Sequence, residues 1–139
     1  MCRVFISHSQ EDNWFVEHLN KMLFLLDIEA LVAEYKEEAG GELWDKIERM
    51  IGKSYVVIIL LTINGIKSEW VNREITMAKT LGKKLIPIVE SGVKDEIALP
   101  LKGLEYIPFL KENPIETLEK ICFRLRDMKK NDLGFSMNC

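Results

Sequence analysis

The sequence places an aromatic side chain and a carboxylate four residues apart, at Trp70 and Glu74. In a helix, side chains at this spacing project from neighbouring positions, so the pair can set a flat ring beside a negative charge. Glu74 stands at the edge of the apolar face of this segment, where it can point into a cleft. By residue type alone, the alternative is a surface glutamate beside Arg73 with Trp70 as a packing anchor, and that alternative is the favoured one.

Other common nucleotide-binding and catalytic motifs are absent from the sequence. No G-x-G-x-x-G follows the first apolar run and no G-x-x-x-x-G-K-[ST] occurs, which excludes the usual dinucleotide and nucleoside triphosphate cradles. No G-x-S-x-G is present, which argues against a hydrolase nucleophile elbow. Ser7-His8 and Leu61-Thr62 stand where a phospho-acceptor receiver needs acidic residues, so that function is excluded too.

The cysteines and histidines predict neither a disulfide framework nor a metal site. The three cysteines, Cys2, Cys122 and Cys139, are distant from one another and form no C-x-x-C pair. The sequence contains only two histidines, His8 and His18. We therefore expect no disulfide scaffold, no structural zinc and no metal in the functional site.

Charge and hydropathy argue against nucleic acid and membranes as partners and against secretion. The chain has 19 Lys and Arg against 22 Asp and Glu, a net charge of −3, which disfavours generic binding to nucleic acid. The longest unbroken apolar run, 55–61, is far shorter than the roughly 20 residues of a membrane-spanning helix. The N-terminal apolar run is too short for a secretory signal. We expect a cytoplasmic protein that does not associate with membranes.

Short apolar runs that fit strands alternate along the chain with amphipathic segments that fit helices. The third run has no polar alternation, which is typical of a strand covered on both faces in a parallel sheet. Five strands alternating with helices predict one α/β domain with a doubly wound sheet, whose ligand site lies at the carboxyl ends of the strands. The predicted strands are 3–7, 28–33, 55–61, 84–89 and 104–109.

Capping residues indicate where the helices begin. Ser68 can cap the helix that carries Glu74, Asp12 is a candidate N-cap for the first helix, and Asn113-Pro114-Ile115-Glu116 opens the last one. The core-facing residues are predicted to be Phe15, Leu19, Met22, Leu23 and Leu26 in the first helix, Leu43, Ile47, Met50 and Ile51 in the second, Val71, Ile75 and Ala78 in the third, and Ile115, Leu118, Ile121, Cys122 and Leu125 in the last.

Two segments are expected to depart from regular structure. Residues 34–42 are charged and contain Gly40-Gly41, which predicts an exposed loop. Pro87 falls inside the fourth predicted strand and cannot donate to a ladder, so we expect locally broken pairing there.

Several segments match a known family in order and spacing. They are Val4-Phe5-Ile6-Ser7-His8-Ser9, the loop Glu37-Glu38-Ala39-Gly40 before a helix, Ser54 ahead of the third strand, and Ser68-x-Trp70-x-x-x-Glu74. Together they resemble the successive signatures of a TIR (Toll/interleukin-1 receptor) domain. Trp70 to Ile75 followed by Gly82 to Ile88 is similar to the branch of the family that cleaves NAD+. The resemblance covers roughly the first 110 residues. We expect a TIR domain at 1–127, and the weakly apolar stretch at 128–139 is predicted to be a C-terminal tail.

The resemblance implies a fold, an activity and a site. The family fold is a flavodoxin-like sheet of strand order 2-1-3-4-5 with helices on both faces. The activity is cleavage of NAD+ into nicotinamide and ADP-ribose or a cyclic ADP-ribose, in defence or signalling. NAD+ is then the substrate, no cofactor is needed, and other TIR domains are partners by self-association. The catalytic position falls on Glu74, and the substrate-binding positions fall on Trp70, Ser7, His8, Ser9, Glu38 and Gly40.

Each of these positions also has a purely structural interpretation. Trp70 can serve as a helix-packing anchor, and His8 and Ser9 can cap the helix that follows them. Gly40 can supply backbone freedom at the end of a loop, and Glu38 can belong to a solvated acidic run.

Two other functions stay open at this point. Many TIR domains are non-catalytic adaptors that act by self-association. A nucleoside deoxyribosyltransferase-like enzyme has a similar topology and uses a glutamate to attack the sugar. Release of nicotinamide from NAD+ distinguishes the first alternative, and release of a base from deoxynucleosides distinguishes the second.

Overall fold

The computed structural model describes residues 1–33, 41–96, 101–137 and 139, with the side chains of 94–96 excepted. Its centre is a five-stranded sheet in which every neighbouring pair of strands is parallel, in the order β2-β1-β3-β4-β5. This confirms the flavodoxin-like doubly wound fold. The strands are β1 (Cys2–Ser7), β2 (Ile28–Leu31), β3 (Val56–Leu61), β4 (Lys84–Glu90) and β5 (Ile107–Phe109).

Helices cover both faces of the sheet. They are α1 (Asn13–Leu25), α2 (Gly41–Lys53), α3 (Ile63–Lys67), α4 (Glu69–Thr80), α5 (Pro114–Asn131) and α6 (Leu133–Met137). The buried residues of α1, α5 and α6 form one core on one face, and those of α2 and α4 form a second core on the other. Every residue of β3 is buried, as its unbroken apolar sequence predicts, because alternate side chains enter the two cores.

Local signals account for several helix boundaries. The Ser68 side chain accepts a hydrogen bond from the Val71 N–H, so the predicted cap of α4 is confirmed. Asn113 caps α5 in the same way through the Glu116 N–H, with Pro114 in the first turn. Helix α4 is followed by Gly82 at φ +68°, a conformation that favours glycine.

Two predictions about the second half of the chain were wrong. Ile115 is 64% exposed, and Thr117 is buried instead. The Thr117 hydroxyl accepts a hydrogen bond from the Leu110 N–H and donates one to the Pro108 carbonyl. Pairing is not broken at Pro87, since β3 and β4 keep one register through the Ile59 to Pro87 pair. Pairing of β4 with β5 begins one residue later.

The cysteines depart from the sequence-based expectation. Cys2, at the start of β1, forms a disulfide with Cys139, so the expectation of no disulfide was wrong for this pair. The two residues are 137 positions apart, and only the fold brings the ends of the chain together. Cys122 is a free thiol, and burial raises its pKa.

The segment predicted as a tail begins inside α5, which continues to Asn131, and ends with α6 packed on the core. Phe135 of α6 has no exposed surface and meets Tyr55 edge to face at 5.3 Å. Asp132, between the two helices, accepts hydrogen bonds from the Phe135 N–H, the Tyr55 hydroxyl and the Lys84 ammonium. Among the described residues, no helix combines the length and the apolar character needed to cross a bilayer.

These contacts predict a pH-dependent contribution to stability. The pKa of Asp132 is held below its usual value. The hydrogen bond from the Phe135 N–H has the largest effect, and those from Tyr55 and Lys84 add to it. Because the folded state favours the ionised carboxylate, this stabilisation is complete above the unfolded-state pKa of about 3.9 and is lost as the pH falls through the folded-state pKa.

We therefore expect Asp132→Asn to lower Tm at pH 7, and the gap from the parent protein to close as the pH is lowered towards 3. Circular dichroism melts across this range measure it. Asp45→Asn, at an exposed position of α2, is the control and should keep the parental pH dependence. A gap that is constant with pH would contradict the assignment.

Candidate active site

A buried hydrogen bond at the carboxyl end of β1 joins Glu74, the predicted catalytic residue, to Ser7, one of the predicted substrate-binding residues. The Ser7 hydroxyl donates to Oε1 of Glu74 at 2.8 Å, and neither side chain has any exposed surface. Glu74 occupies a core position of α4, since Val71, Ile75 and Ala78 on the same face are buried. The interpretation of Glu74 as a surface residue was therefore wrong.

Trp70 packs against a second tryptophan that the sequence analysis did not single out. Its ring stacks on Trp44 of α2 with centroids 5.0 Å apart and an angle of 18° between the planes. The Arg73 guanidinium lies 3.8 Å from the centroid of the Trp44 ring, within range of a cation–π contact. Trp70 thus anchors α4 to α2, one helical turn from Glu74. An aromatic residue at the edge of an amphipathic segment was the available signal for Trp44.

His8 lies on the other side of the sheet from Glu74. Strand side chains alternate, so Ser7 faces α4 while Ile6 and His8 face α1. The His8 ring bonds Asn13 Oδ1 through Nε2 at 2.7 Å and lines a cleft of about 420 Å³. Gln10, Val32 and Ala33 belong to the same cleft. The structure therefore brings Ser7 to Glu74 and sets His8 in a separate cleft beside α1.

Ser9 is buried in the turn that precedes α1. It occupies the N-cap position of a 3₁₀ turn, Gln10–Asp12, but its hydroxyl accepts no backbone N–H. Instead it donates to Glu11 Oε2 at 3.0 Å and faces Asp12 Oδ2 at 3.5 Å. The expected capping bond from the Ser9 side chain is therefore not formed.

Asp12 and Thr62 form a buried contact that sequence reasoning missed. Asp12 makes no side-chain cap on α1, contrary to the expectation. Its Oδ2 accepts a hydrogen bond from the Thr62 hydroxyl at 2.6 Å, and Thr62 Oγ1 accepts from the Gly65 N–H at 2.9 Å. The bond joins the loop after β1 to the loop after β3. A polar residue directly after an all-apolar strand was the signal for Thr62.

The remaining predicted site residues, Glu38 and Gly40, lie outside the described residues. The predicted exposed loop at 34–42 falls mostly within the same gap. In the part of the chain that is described, no group of three or more His, Cys, Asp or Glu side chains is arranged to hold a metal ion.

Sequence comparison finds a family and a relative. The family model described as "TIR domain" matches residues 4–122. The 2′ cyclic ADP-D-ribose synthase AbTIR of Acinetobacter baumannii is 27% identical over 138 residues. That alignment covers 92% of this chain and 49% of the relative, so the chain spans about half of the relative's length.

Solved structures share the fold at low sequence identity. One is the TIR domain heterodimer of RPS4 and RRS1, with a TM-score of 0.71, 19% identity, and coverage of 91% of this chain and 97% of that one. Another is the CMP N-glycosidase BcmB of Clostridium botulinum, with a TM-score of 0.66, 20% identity, and coverage of 87% and 98%. At these identities the likeness establishes the fold.

The close approach of α3 to the end of β3 predicts that Gly65 does not tolerate a side chain. A Cβ at this position would overlap the backbone carbonyl of Leu60, which cannot rotate away. We expect Gly65→Ala to lower the free energy of unfolding by about 1–3 kcal/mol, the usual cost of overpacking. Urea denaturation measures it.

The matched control is Gly52→Ala in α2, where an added Cβ meets nothing within 4 Å. We expect that variant to be unchanged or more stable by about 0.5–1 kcal/mol, because alanine is the better helix former. Equal losses in both variants would show that the Leu60 contact is not responsible.

Proposed function

We propose, since the chain belongs to the TIR domain family, that it cleaves the bond between nicotinamide and ribose in NAD+. The observation that carries the proposal is the buried carboxylate of Glu74, which α4 holds beside Ser7 at the carboxyl end of β1. The Acinetobacter baumannii relative supports it, because that protein's name describes synthesis of a cyclic ADP-ribose, a compound without nicotinamide.

The chemistry of this bond makes one carboxylate sufficient. Ordinary glycosidases need a general acid because their leaving group departs as an alkoxide. The nicotinamide ring of NAD+ is a pyridinium, so the electron pair of the C1′–N bond neutralises it and no proton is required. The ribose is left with oxocarbenium character. Water then adds at C1′ and loses a proton to solvent to give ADP-ribose, or a hydroxyl within the same molecule adds and loses its proton to give a cyclic product.

In this mechanism Glu74 stabilises the positive charge that develops on the ribose and holds the ribose hydroxyls. A fixed charge acts strongly in a site that excludes water, because it needs no reorganisation as the reaction proceeds. Ser7 fixes the direction of the carboxylate through the 2.8 Å hydrogen bond. Since Glu74 has no exposed surface in the free protein, the groups that cover it have to move before ribose can reach it.

Trp70 is proposed to provide a stacking surface for a flat base of the substrate. Its ring is half-buried and already packs on Trp44, so its orientation is fixed before substrate arrives. Aromatic stacking contributes about 0.5–1.5 kcal/mol beyond the burial of area. The substrate roles of Ser9, Glu38 and Gly40 belong to the same proposal, and that of His8 requires the substrate to reach the separate cleft beside α1.

We further propose that the chain self-associates with other TIR domains, in defence or signalling, and that a second subunit completes the active site. The heterodimer of RPS4 and RRS1 TIR domains supports association, because two chains with this fold pair directly in it.

A second candidate function is cleavage of another N-glycosidic bond. The Clostridium botulinum protein with the same fold is named a CMP N-glycosidase, which favours a nucleotide or deoxynucleoside as the alternative substrate. A glutamate that stabilises or attacks the sugar serves both reactions.

The first test replaces the proposed catalytic group. We expect Glu74→Gln to reduce nicotinamide release from NAD+ by about 100-fold or more, the usual loss when an electrostatic contact to the transition state is removed. The amide keeps the size of the side chain and its ability to accept from Ser7. Liquid chromatography of the reaction mixture measures the product.

The control is Glu69→Gln, an exposed glutamate in the first turn of the same helix, which should keep full turnover. Full turnover in Glu74→Gln would refute the proposal. Base release from CMP or deoxynucleosides, with none from NAD+, would support the second candidate. Release from neither substrate class would indicate a non-catalytic adaptor.

The second test asks whether a second subunit completes the active site. If a second subunit contributes to it, the specific activity should rise with protein concentration, because the competent dimer or filament becomes more populated. A dilution series at fixed NAD+ measures this. A specific activity that is constant across the series would remove the claim of a shared site.

A further inference from the structure

The hydrogen bond between Thr62 and Asp12 connects two loops that lead to the proposed catalytic pair. Thr62 directly follows β3, and Asp12 ends the 3₁₀ turn after β1. Both side chains are buried, with 2% and 4% of their surface exposed. The 2.6 Å distance lies in the short range for a hydroxyl that donates to a carboxylate oxygen.

The Thr62 hydroxyl is engaged as donor and acceptor at once. It donates to Asp12 Oδ2 and accepts from the Gly65 N–H at 2.9 Å as the N-cap of α3. A hydroxyl is required for both bonds, and the methyl group of threonine contributes to neither. Loss of the hydroxyl would leave a buried carboxylate and a buried N–H without these partners, which is costly inside a protein.

Each end of this bond leads along the chain to one member of the Ser7 and Glu74 pair. Asp12 follows Ser7 by five positions, and that stretch includes a short 3₁₀ turn that packs against α3. On the other side, Thr62 caps α3, which ends at Lys67, and the next residue, Ser68, caps the helix that carries Glu74. The bond therefore fixes the spacing between the two segments that must bring Ser7 and Glu74 together.

We propose that Thr62 and Asp12 are positioning residues that hold the Ser7 hydroxyl in register with the Glu74 carboxylate. The inference rests on the proposed function, since it concerns the alignment of the group assigned to catalysis. Neither residue contacts substrate in this proposal. Both act by setting the geometry of Ser7 and Glu74, and small displacements in such geometry can cost about 100-fold in rate.

The experiment compares two substitutions at one position. Thr62→Val keeps the shape and removes the hydroxyl, and we expect it to lower kcat for nicotinamide release by about 10- to 100-fold with little change in KM. Thr62→Ser keeps the hydroxyl, and its kcat should stay within about threefold of that of the parent protein. Thr80→Val, at an exposed threonine of α4, controls for the substitution itself and should keep parental kinetics.

A double-mutant cycle tests whether Thr62 affects turnover through Ser7. If Thr62 acts through Ser7, Thr62→Val should cost much less in a Ser7→Ala background than in the parent protein. Additive losses would overturn the inference, as would equal losses in Thr62→Ser and Thr62→Val. If Thr62→Val does not fold, Asp12→Asn is used instead, because it weakens the same hydrogen bond. Unchanged activity per folded molecule in Asp12→Asn would then overturn the inference.

A structural measurement separates this inference from the proposed function. In a crystal structure of Thr62→Val, we expect the distance from Ser7 Oγ to Glu74 Oε1 to lengthen from 2.8 Å to beyond hydrogen-bonding range. An unchanged distance would overturn the positioning role even if the parent protein cleaves NAD+. A lengthened distance would support it even if the parent protein cleaves another N-glycosidic bond.

Discussion

Burial of a carboxylate is the constraint on which the arrangement of this protein depends. An ionisable group without exposed surface is costly unless polar partners replace the water that it loses. For Glu74 one such partner is the Ser7 hydroxyl, which has to stand at the last position of β1 and point towards α4. That direction follows from strand alternation, and β1 is itself fixed between β2 and β3 by parallel pairing on both sides.

The same requirement explains how α4 is held. Its start is set by the Ser68 cap, its inner face by three apolar residues in the core, and its flank by the stack of Trp70 on Trp44. These are three different interactions, a hydrogen bond, apolar burial and aromatic packing, and they act on one helix of twelve residues. A side chain on such a helix has little freedom to move, which is the condition for a charge to act electrostatically on a reacting group.

The sequence was a good guide wherever a local rule decides the outcome. The all-apolar third strand, the Ser68 and Asn113 caps and the parallel order of the strands were predicted, the last through the family resemblance. Ile115 was misplaced because helical periodicity cannot tell that a threonine is satisfied by the backbone of β5. The disulfide of Cys2 with Cys139 was missed because sequence separation carries no information on distance in the fold.

At the site, the sequence pointed to individual residues but not to the contacts between them. Ser7 and Glu74 were both named, but their 2.8 Å hydrogen bond spans 67 positions and depends on the packing of α4 on the sheet. Strand alternation alone could have separated His8 from Ser7, since successive side chains face opposite sides. The bond from Thr62 to Asp12 spans 50 positions, and no pattern in either segment points to the other.

A hydroxyl is a suitable partner for a carboxylate that is to stabilise a cation. An arginine or lysine in its place would offset the negative charge and weaken its attraction for a developing oxocarbenium ion. A serine orients the carboxylate and donates to one oxygen without adding a positive charge. Burial favours a neutral site, whereas the proposed chemistry requires a charged one. A neutral hydroxyl donor such as Ser7 meets both demands, because it gives the buried carboxylate a partner without offsetting its charge.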